Sequence, residues 1–341
     1  MAARWKKQPE GATWGEFGAD DEDGRLNLLT AEAVKRGVAE VREGRVFCLS
    51  LPLTYPGGNL MVPRRHPPEV RPSYEPDGDC HFHYEKGKVD PTYTDVMNDD
   101  VVTLWTQYST QWDALAHIGY LFDADDDGVP EIRYYNGFLG GEHVIAPADE
   151  QAPHVGALAL SIERLARKGM QGRGVLVDLA GHYGRAYRNV GYDDLMRVLE
   201  ANRVEVEAGD MLCLHTGFDE VLLELGGEPP DRDSLHGVCC ALNGRDRQLL
   251  QWITDSRIAA LISDTFAVER PGLPPEGDST AFIPLHEHCL FKIGVPLGEL
   301  WYLAELKAWL KAQRRFRFLL TAPPLRLPRA VGSPVTPVAT V

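Results

Sequence analysis

The strongest constraint on the fold is the alternation of short apolar runs with stretches of helical periodicity. Apolar runs of strand length occur at 174–179 (GVLVDL), 211–215 (MLCLH) and 258–262 (IAALI). The stretches at 192–206 and 247–254 lie between them and have the apolar spacing of amphipathic helices. Strands that alternate with helices form sheets covered by helices. The sequence therefore predicts an α/β fold.

Local signals near both ends predict further elements. Thr30 can cap a helix over 31–44, in which apolar residues recur at helical spacing. The next segment, Arg45–Leu53, has the composition of a strand, and Leu300–Leu310 (LWYLAELKAWL) that of a helix.

The chain divides into three segments on composition. Residues 1–25 are a polar, irregular lead-in, 26–322 form a single main domain, and 323–341 are a Pro-rich tail that we expect to wrap over its surface. Within the domain, residues 54–96 are rich in Pro, Gly, Asp and His and show little periodicity. Such a long loop in a compact domain is usually functional, for example a lid.

The net charge limits the classes of partner. Lys and Arg number 35 against 50 Asp and Glu, which gives a formal charge of −15. Binding to nucleic acid or to an anionic membrane favours a basic surface, so neither is expected. A small-molecule ligand in a locally positive pocket remains compatible with this charge.

Cysteine usage and the N-terminus indicate the compartment. The six cysteines form no C-x-x-C pair, and we expect buried, reduced thiols. No apolar run has the length of a signal peptide or reaches the roughly 20 residues that span a bilayer. The sequence therefore predicts a soluble, cytoplasmic protein.

One acidic segment resembles a calcium loop without meeting its requirements. Asp123, Asp125 and Asp127 match the first ligands of an EF-hand, but the twelfth position is Tyr134 where a bidentate Glu is needed. Pro130 also interrupts the loop. A solvated acidic turn is the better interpretation.

The densest group of polar residues in an apolar context lies at 107–117. It contains Gln107, Gln111, Asp113 and His117. If 113–117 is helical, Asp113 and His117 are one turn apart on the same face and could bind one ion. An Asp–His hydrogen bond in the core or a helix cap would explain the same spacing.

A second group follows near the C-terminus. His286 and His288 project to the same side if their segment is extended, and Glu299 follows. The histidines could instead be a packing feature, and Glu299 could be a favourable charge in the first turn of a helix. Asp264 and Glu269 form a weaker acidic pair.

Several common catalytic motifs are absent from the sequence. There is no G-x-S-x-G, P-loop, G-x-G-x-x-G or H-E-x-x-H motif. Ser333 is followed by Pro334, which a nucleophile elbow does not tolerate.

The segment TQWDALAH at 110–117 resembles the T-H-x-D-x-x-x-H metal motif of the cyclase family, which includes kynurenine formamidases and isatin hydrolases. Longer members often carry T-Q-W-D there. Further similar blocks occur in consistent order over about 13–339, among them LHTGF, IAALISDTFAVE, PLHEHCLFKIGVPLGELW and APPLRLPRAVGSPV. The resemblance implies an α/β catalytic domain of mixed β-sheets flanked by helices, a divalent metal site and a homodimer or homotetramer.

The resemblance also implies roles for individual residues. Asp113 matches a metal carboxylate, His117 a ligand or general base, and Glu299 the acidic partner before the last helix. The later histidine of the family matches His286 or His288. We prefer His286, because its distance of thirteen residues to Glu299 fits the longer members. The implied catalytic residues are thus His117, His286 and Glu299.

The motif departs from the formamidases at two positions. Gln107 and Gln111 replace two histidine ligands, and a glutamine ligates only through a neutral carbonyl oxygen. We therefore expect one Mn²⁺ or Zn²⁺ in place of a binuclear zinc site. The implied ligand set is Gln107, Gln111, Asp113, His117, His286 and Glu299.

The resemblance implies an arylformamidase-like hydrolase, in which metal-activated water cleaves an amide, formamide, cyclic amide or lactone bond. Two alternatives remain open. One is a natural-product cyclase or dehydratase on the same scaffold. The other is a catalytically inactive small-molecule binding protein, which the two Gln-for-His replacements suggest.

Overall fold

A nine-stranded mixed sheet forms the centre of the computed structural model. The structure describes residues 4–147, 155–228, 231–272, 274 and 281–341. We label the strands of this sheet in chain order: β1 (Val46–Cys48), β2 (Gln111–Asp113), β3 (Gln171–Asp178), β4 (Met211–His215), β5 (Ala260–Ser263), β6 (Leu297–Glu299), β7 (Arg317–Thr321), β8 (Gly332–Pro334) and β9 (Val338–Thr340).

The order of strands across the sheet is β1-β9-β7-β3-β4-β5-β6-β2-β8. The four central strands, β3 to β6, are parallel. The strands on both sides of them pair antiparallel. The predicted α/β fold with a mixed sheet is therefore confirmed.

Helices connect the central strands and cover both faces of the sheet. The α-helices are α1 (Ala31–Val38), α2 (Glu163–Lys168), α3 (Ala180–Tyr183), α4 (Tyr192–Asn202), α5 (Phe218–Glu224), α6 (Asp233–His236), α7 (Arg247–Ser256), α8 (Pro284–His286) and α9 (Ala304–Gln313). Shorter 3₁₀ turns occupy Gly24–Leu28, Lys86–Lys88 and Tyr135–Gly137, and a π-helical turn occupies Glu287–Lys292.

Strand β3 shows why the sheet needs cover on both faces. Val175 and Val177 pack into one apolar core together with Val198 of α4. Leu176 points the other way, into a second core that contains Leu306 of α9. Because successive side chains of a strand alternate between faces, a continuous apolar run requires helices on both sides.

The first helix begins where its cap predicts and ends earlier than expected. The Thr30 side chain accepts a hydrogen bond from the Ala33 main-chain N–H at 3.3 Å, as an N-cap does. Helix α1 then ends at Val38, six residues before the predicted end at 44.

The last helix begins later than expected. Leu300 has a φ of 56°, which a right-handed helix excludes. The Asp219 carboxylate accepts hydrogen bonds from the N–H groups of Leu303 and Ala304, at 2.7 and 2.8 Å. These contacts fix the start of α9 at Ala304, so the prediction that it starts at Leu300 was wrong.

The Pro-rich tail is part of the sheet. Strand β8 pairs with β2, and β9 lies between β1 and β7. Ala339 and Val341 are fully buried. The expectation that the tail wraps over the surface was wrong, because its extended segments complete a ladder that the local sequence does not reveal.

The segment 54–96 contains more order than predicted. Glu69–Pro72 pairs with Asp100–Thr103, and Tyr84–Glu85 pairs with Val96–Met97. Further short ladders join Tyr120–Phe122 to Glu131–Arg133, Val144–Ile145 to Gly156–Ala157, and Arg188–Val190 to Cys240–Leu242. None of the helices in the described parts of the chain is long and apolar enough to cross a bilayer.

Candidate active site

The pairing of β2 with β6 brings the first candidate residues together. Gln111 lies opposite Glu299, and Asp113 lies opposite Leu297. Because side chains alternate along a strand, Gln111, Asp113 and Glu299 project from the same face. The side chain of Trp112 between them projects into the core on the other face.

Two tryptophans fix the backbone behind this face. The Trp112 indole N–H donates to the Ala322 carbonyl oxygen at 2.8 Å, and the Trp301 indole N–H donates to that of Gln111 at 3.1 Å. The two rings are in edge contact, with centroids 5.0 Å apart. Both side chains are fully buried, so the register of β2 against β6 is held from the core side.

His286 enters the same region from α8. Its Nε2 lies 3.2 Å from Glu299 Oε1, and its Nδ1 lies 2.9 Å from Glu269 Oε1. Glu269 also accepts hydrogen bonds from the main-chain N–H groups of Leu285 and His286, both at 2.9 Å. Glu269 therefore holds both the imidazole and the start of the helix that carries it.

His288 lies in different surroundings. Its Nε2 is 2.9 Å from the Thr254 hydroxyl on α7. The prediction that His286 and His288 share one side of an extended segment was wrong, because the segment is helical. Of the two histidines, only His286 contacts Glu299.

Asp113, His286 and Glu299 form a buried cluster whose donor atoms lie within 4.8 Å of one another. These side chains are 1%, 3% and 4% exposed. The Gln111 amide nitrogen donates to Asp113 Oδ1 at 3.3 Å and to Glu299 Oε2 at 3.0 Å.

One buried acceptor of this cluster and one of the neighbouring Gln111 lack a hydrogen-bond partner in the described residues. Within the described residues, nothing donates a hydrogen bond to Asp113 Oδ2 or to Gln111 Oε1. Unpaired acceptors are costly in the interior. An imidazole nitrogen and two carboxylates are donors that Zn²⁺ or Mn²⁺ accepts, so Asp113, His286 and Glu299 fit a divalent ion.

His117 and Gln107 lie at the edge of this cluster. His117 Nε2 is 3.9 Å from Asp113 Oδ1, and His117 Nδ1 is 3.5 Å from the Gln107 amide nitrogen. The helical geometry considered for 113–117 was wrong, since β2 ends at Asp113 and a turn follows. The turn still brings His117 back toward Asp113. Gln107 contacts His117 and lies outside the three-residue cluster.

The pKa values of the groups in and beside the cluster shift in different directions. Burial opposes the charge of His286, but hydrogen bonds to Glu269 and Glu299 outweigh burial and raise its pKa to about 10. Burial likewise opposes the charge of Glu299, yet the contact with His286 lowers its pKa. Burial and the charge of Glu299 raise the pKa of Asp113 well above its usual value. Burial and the neighbouring His286 lower the pKa of His117 to about 3.

The alternative role of Glu299, a charge in the first turn of a helix, was wrong. Glu299 ends β6, and the acidic residue in the first turn of α9 is Glu305.

A second buried cluster contains His215, Asp219 and Asp264. Its carboxylates already accept main-chain hydrogen bonds. Asp264 accepts from residues 216–218 at the start of α5, and Asp219 accepts from residues 303 and 304 at the start of α9. This cluster therefore stabilises the starts of two helices.

Asp264 and Glu269 are close in the sequence but have different partners. Asp264 binds the start of α5, whereas Glu269 binds α8 and His286.

The acidic segment that contains Asp123, Asp125 and Asp127 forms a turn, as the sequence predicts. Asp123 accepts hydrogen bonds from the N–H groups of Asp127 and Gly128, both at 3.1 Å, and Asp127 accepts one from Val129. Such contacts close a tight turn.

Sequence reasoning missed one cation next to the site. The Arg65 guanidinium donates to the Gln107 main-chain oxygen at 2.7 Å. Arg65 belongs to the irregular segment 54–96, where no periodicity or motif indicates the direction of a side chain.

The chain belongs to the Cyclase family, whose model matches residues 49–270. A crystal structure of a novel cyclase is similar over 97% of this chain and 99% of that chain, with 26% identity and a TM-score of 0.75.

Isatin hydrolases share the fold at lower identity. Isatin hydrolase A from Labrenzia aggregata, bound to benzyl benzoate, has 12% identity and a TM-score of 0.53, over 86% of this chain and 93% of that one. Isatin hydrolase A from Ralstonia solanacearum has 15% identity and a TM-score of 0.52, over 90% and 95%. No curated protein matches the sequence.

Proposed function

We propose that this protein is a metal-dependent hydrolase that cleaves an amide, formamide or cyclic amide bond, or a lactone. The observation that carries the proposal is the buried cluster of Asp113, His286 and Glu299, with the unpaired Asp113 Oδ2. Membership of the Cyclase family and the fold shared with isatin hydrolases support a reaction of this class.

Asp113, His286 and Glu299 would hold one divalent ion, and its binding would release the Nε2 proton of His286, because a ligating imidazole must be neutral. When bound there, Mn²⁺ or Zn²⁺ would polarise a carbonyl group and lower the pKa of water. Glu269 orients His286 through Nδ1 and leaves Nε2 directed at the cluster.

His117 is the group that moves the proton. Burial lowers the pKa of His117, so the imidazole is neutral at neutral pH and one ring nitrogen can accept a proton. His117 therefore suits a relay, which accepts a proton from water and passes it on.

The reaction balances without a redox partner. Water adds to the carbonyl carbon and the C–N or C–O bond breaks. One proton of the water passes through His117 to the departing nitrogen or oxygen, and the other is released to solvent when the carboxylic acid ionises to a carboxylate. The buried walls around Asp113 and Glu299 keep bulk water from competing for these contacts.

The test is a substrate panel of formanilides, cyclic imides and lactones in ¹⁸O-water, with and without added Mn²⁺ or Zn²⁺. Metal-dependent incorporation of solvent oxygen into the product supports the proposal. Turnover without ¹⁸O in the product would favour cyclisation or dehydration on this scaffold. Such reactions are also consistent with the name of the Cyclase family. Full metal loading without turnover of any compound would favour a binding protein.

A further inference from the structure

A narrow cleft lies beside the cluster. Its walls are mostly apolar and include Met61, Phe266 and Leu300, and its polar lining includes Arg65 and Gln107. Leu300 directly follows Glu299 in the chain, and the Gln107 amide contacts His117. Two residues that line the cleft are therefore direct neighbours of Glu299 and His117.

Arg65 brings a positive charge to this cleft without a carboxylate to balance it. In the part of the chain that the structure describes, no Asp or Glu oxygen lies within ion-pair distance of its guanidinium. Its hydrogen bond to the Gln107 carbonyl oxygen uses one N–H and holds the side chain in place. Several of its five N–H donors remain for a ligand.

The charge of Arg65 also reaches the cluster. Burial is the larger influence on the pKa of Asp113, His117 and Glu299, and the positive charge of Arg65 lowers all three. An anion bound to Arg65 would lie beside Gln107, whose main-chain oxygen accepts from Arg65 and whose amide contacts His117.

We propose that Arg65 is a specificity-determining residue that binds a carboxylate group of the substrate. Guanidinium and carboxylate groups match as planar, bidentate partners. The substrate class is therefore an anionic amide or lactone. This inference deepens the proposed hydrolase function and rests on it for the identity of the reacting bond.

Arg65 has one rival role, which is to offset the negative charge of Asp113 and Glu299. The two roles differ in what a substitution changes. A charge-balancing residue affects metal content and turnover for every substrate, whereas a carboxylate-binding residue affects only the binding of anionic molecules.

A binding experiment tests the inference without any turnover. Benzoate and its neutral analogue benzamide are titrated into the metal-loaded wild type, Arg65→Gln, Arg65→Lys and the exposed neighbour control Arg64→Gln. We expect the wild type and Arg64→Gln to prefer benzoate. Arg65→Gln should lose at least about tenfold in benzoate affinity, with benzamide unchanged and Arg65→Lys intermediate.

Two results of the binding experiment would contradict the role of Arg65. Equal benzoate affinity in wild type and Arg65→Gln would overturn the inference, and so would a loss of metal from Arg65→Gln that explains its weaker binding. If any formanilide is hydrolysed, comparison with its 2-carboxylate analogue adds a kinetic test. Arg65→Gln should then raise KM for the carboxylate compound alone, whereas no turnover of either compound counts against the hydrolase function only.

Discussion

His286 Nε2 lies 3.2 Å from Glu299 Oε1, and this contact joins α8 to the end of β6 across thirteen residues of chain. On its other side, His286 is held by Glu269 through Nδ1. The imidazole is therefore fixed between two carboxylates, and only one of them belongs to the three-residue cluster.

Asp113→Asn should abolish stoichiometric binding of a divalent ion. The change removes an anion and replaces the unpaired Oδ2 by an amide, so that too little negative charge remains to hold the ion. Metal content after dialysis, measured by inductively coupled plasma mass spectrometry, checks this result. Asp123→Asn, in the exposed acidic turn, is the matched control and should bind as wild type does. Wild-type stoichiometry in Asp113→Asn would refute the site.

His286→Gln should be inactive and His288→Gln should be active. The first change removes the nitrogen that faces Glu299, while the second only alters a contact with Thr254. Turnover and metal content of both variants provide the measurement. An active His286→Gln beside an inactive His288→Gln would show that the wrong histidine was assigned.

His117→Ala and His117→Gln should retain the metal and lose activity by about 100-fold or more, since neither side chain accepts a proton at neutral pH. The 3.9 Å distance from His117 to Asp113 places the imidazole beside the donor set. Metal content and turnover are measured on the same preparations. Near-normal turnover in both variants contradicts the relay, and a loss of metal from both would make His117 a ligand.

Glu299→Gln should reduce turnover strongly while the protein still folds. Because Glu299 ends a strand, the change does not remove a charge from the first turn of a helix. Glu305→Gln is the matched control, since Glu305 is in the first turn of α9 and its loss should cost at most about 1 kcal/mol of stability with normal turnover. Thermal melts and turnover of both variants separate the two effects, and an active Glu299→Gln would exclude its role.

The stability of the protein should fall as pH rises from 6.5 to 10. Burial opposes the charge of His215, but the hydrogen bond to Asp178 and the Asp219 carboxylate 3.5 Å from Nε2 outweigh it and raise the pKa of His215 from 6.5 to about 10. The folded state therefore binds the proton more tightly than the unfolded state. This contribution is fully present below pH 6.5 and is lost toward pH 10, with a slope of at most about 1.4 kcal/mol per pH unit.

Urea unfolding of wild type and Asp178→Asn across this pH range tests the contribution. Asp178→Asn removes the carboxylate that lies 2.9 Å from His215 Nδ1, so the free energies of unfolding of the two proteins should converge at high pH. A constant difference between them at all pH values would show that His215 is not the titrating group.

Local patterns in the sequence determined the central strands and the start of the first helix. The apolar runs at 174–179 and 211–215 became β3 and β4 because a strand buried on both faces needs a continuous apolar sequence. Thr30 capped α1 through a contact only three residues away. The resemblance to the cyclase family supplied Asp113, Glu299 and a preference for His286 over His288, although no spacing rule explains why these residues meet.

The tertiary structure decided how these residues are arranged. Gln111 and Glu299 contact each other across 188 residues, and their register depends on strand pairing that involves distant segments. Strand β8 of the Pro-rich tail completes the sheet beside β2 for the same reason. The directions of Arg65 and Glu269 likewise follow from packing between remote segments. A local sequence pattern fixes which residues can form a strand or a helix, whereas the free energy of burying and pairing distant segments fixes which side chains meet.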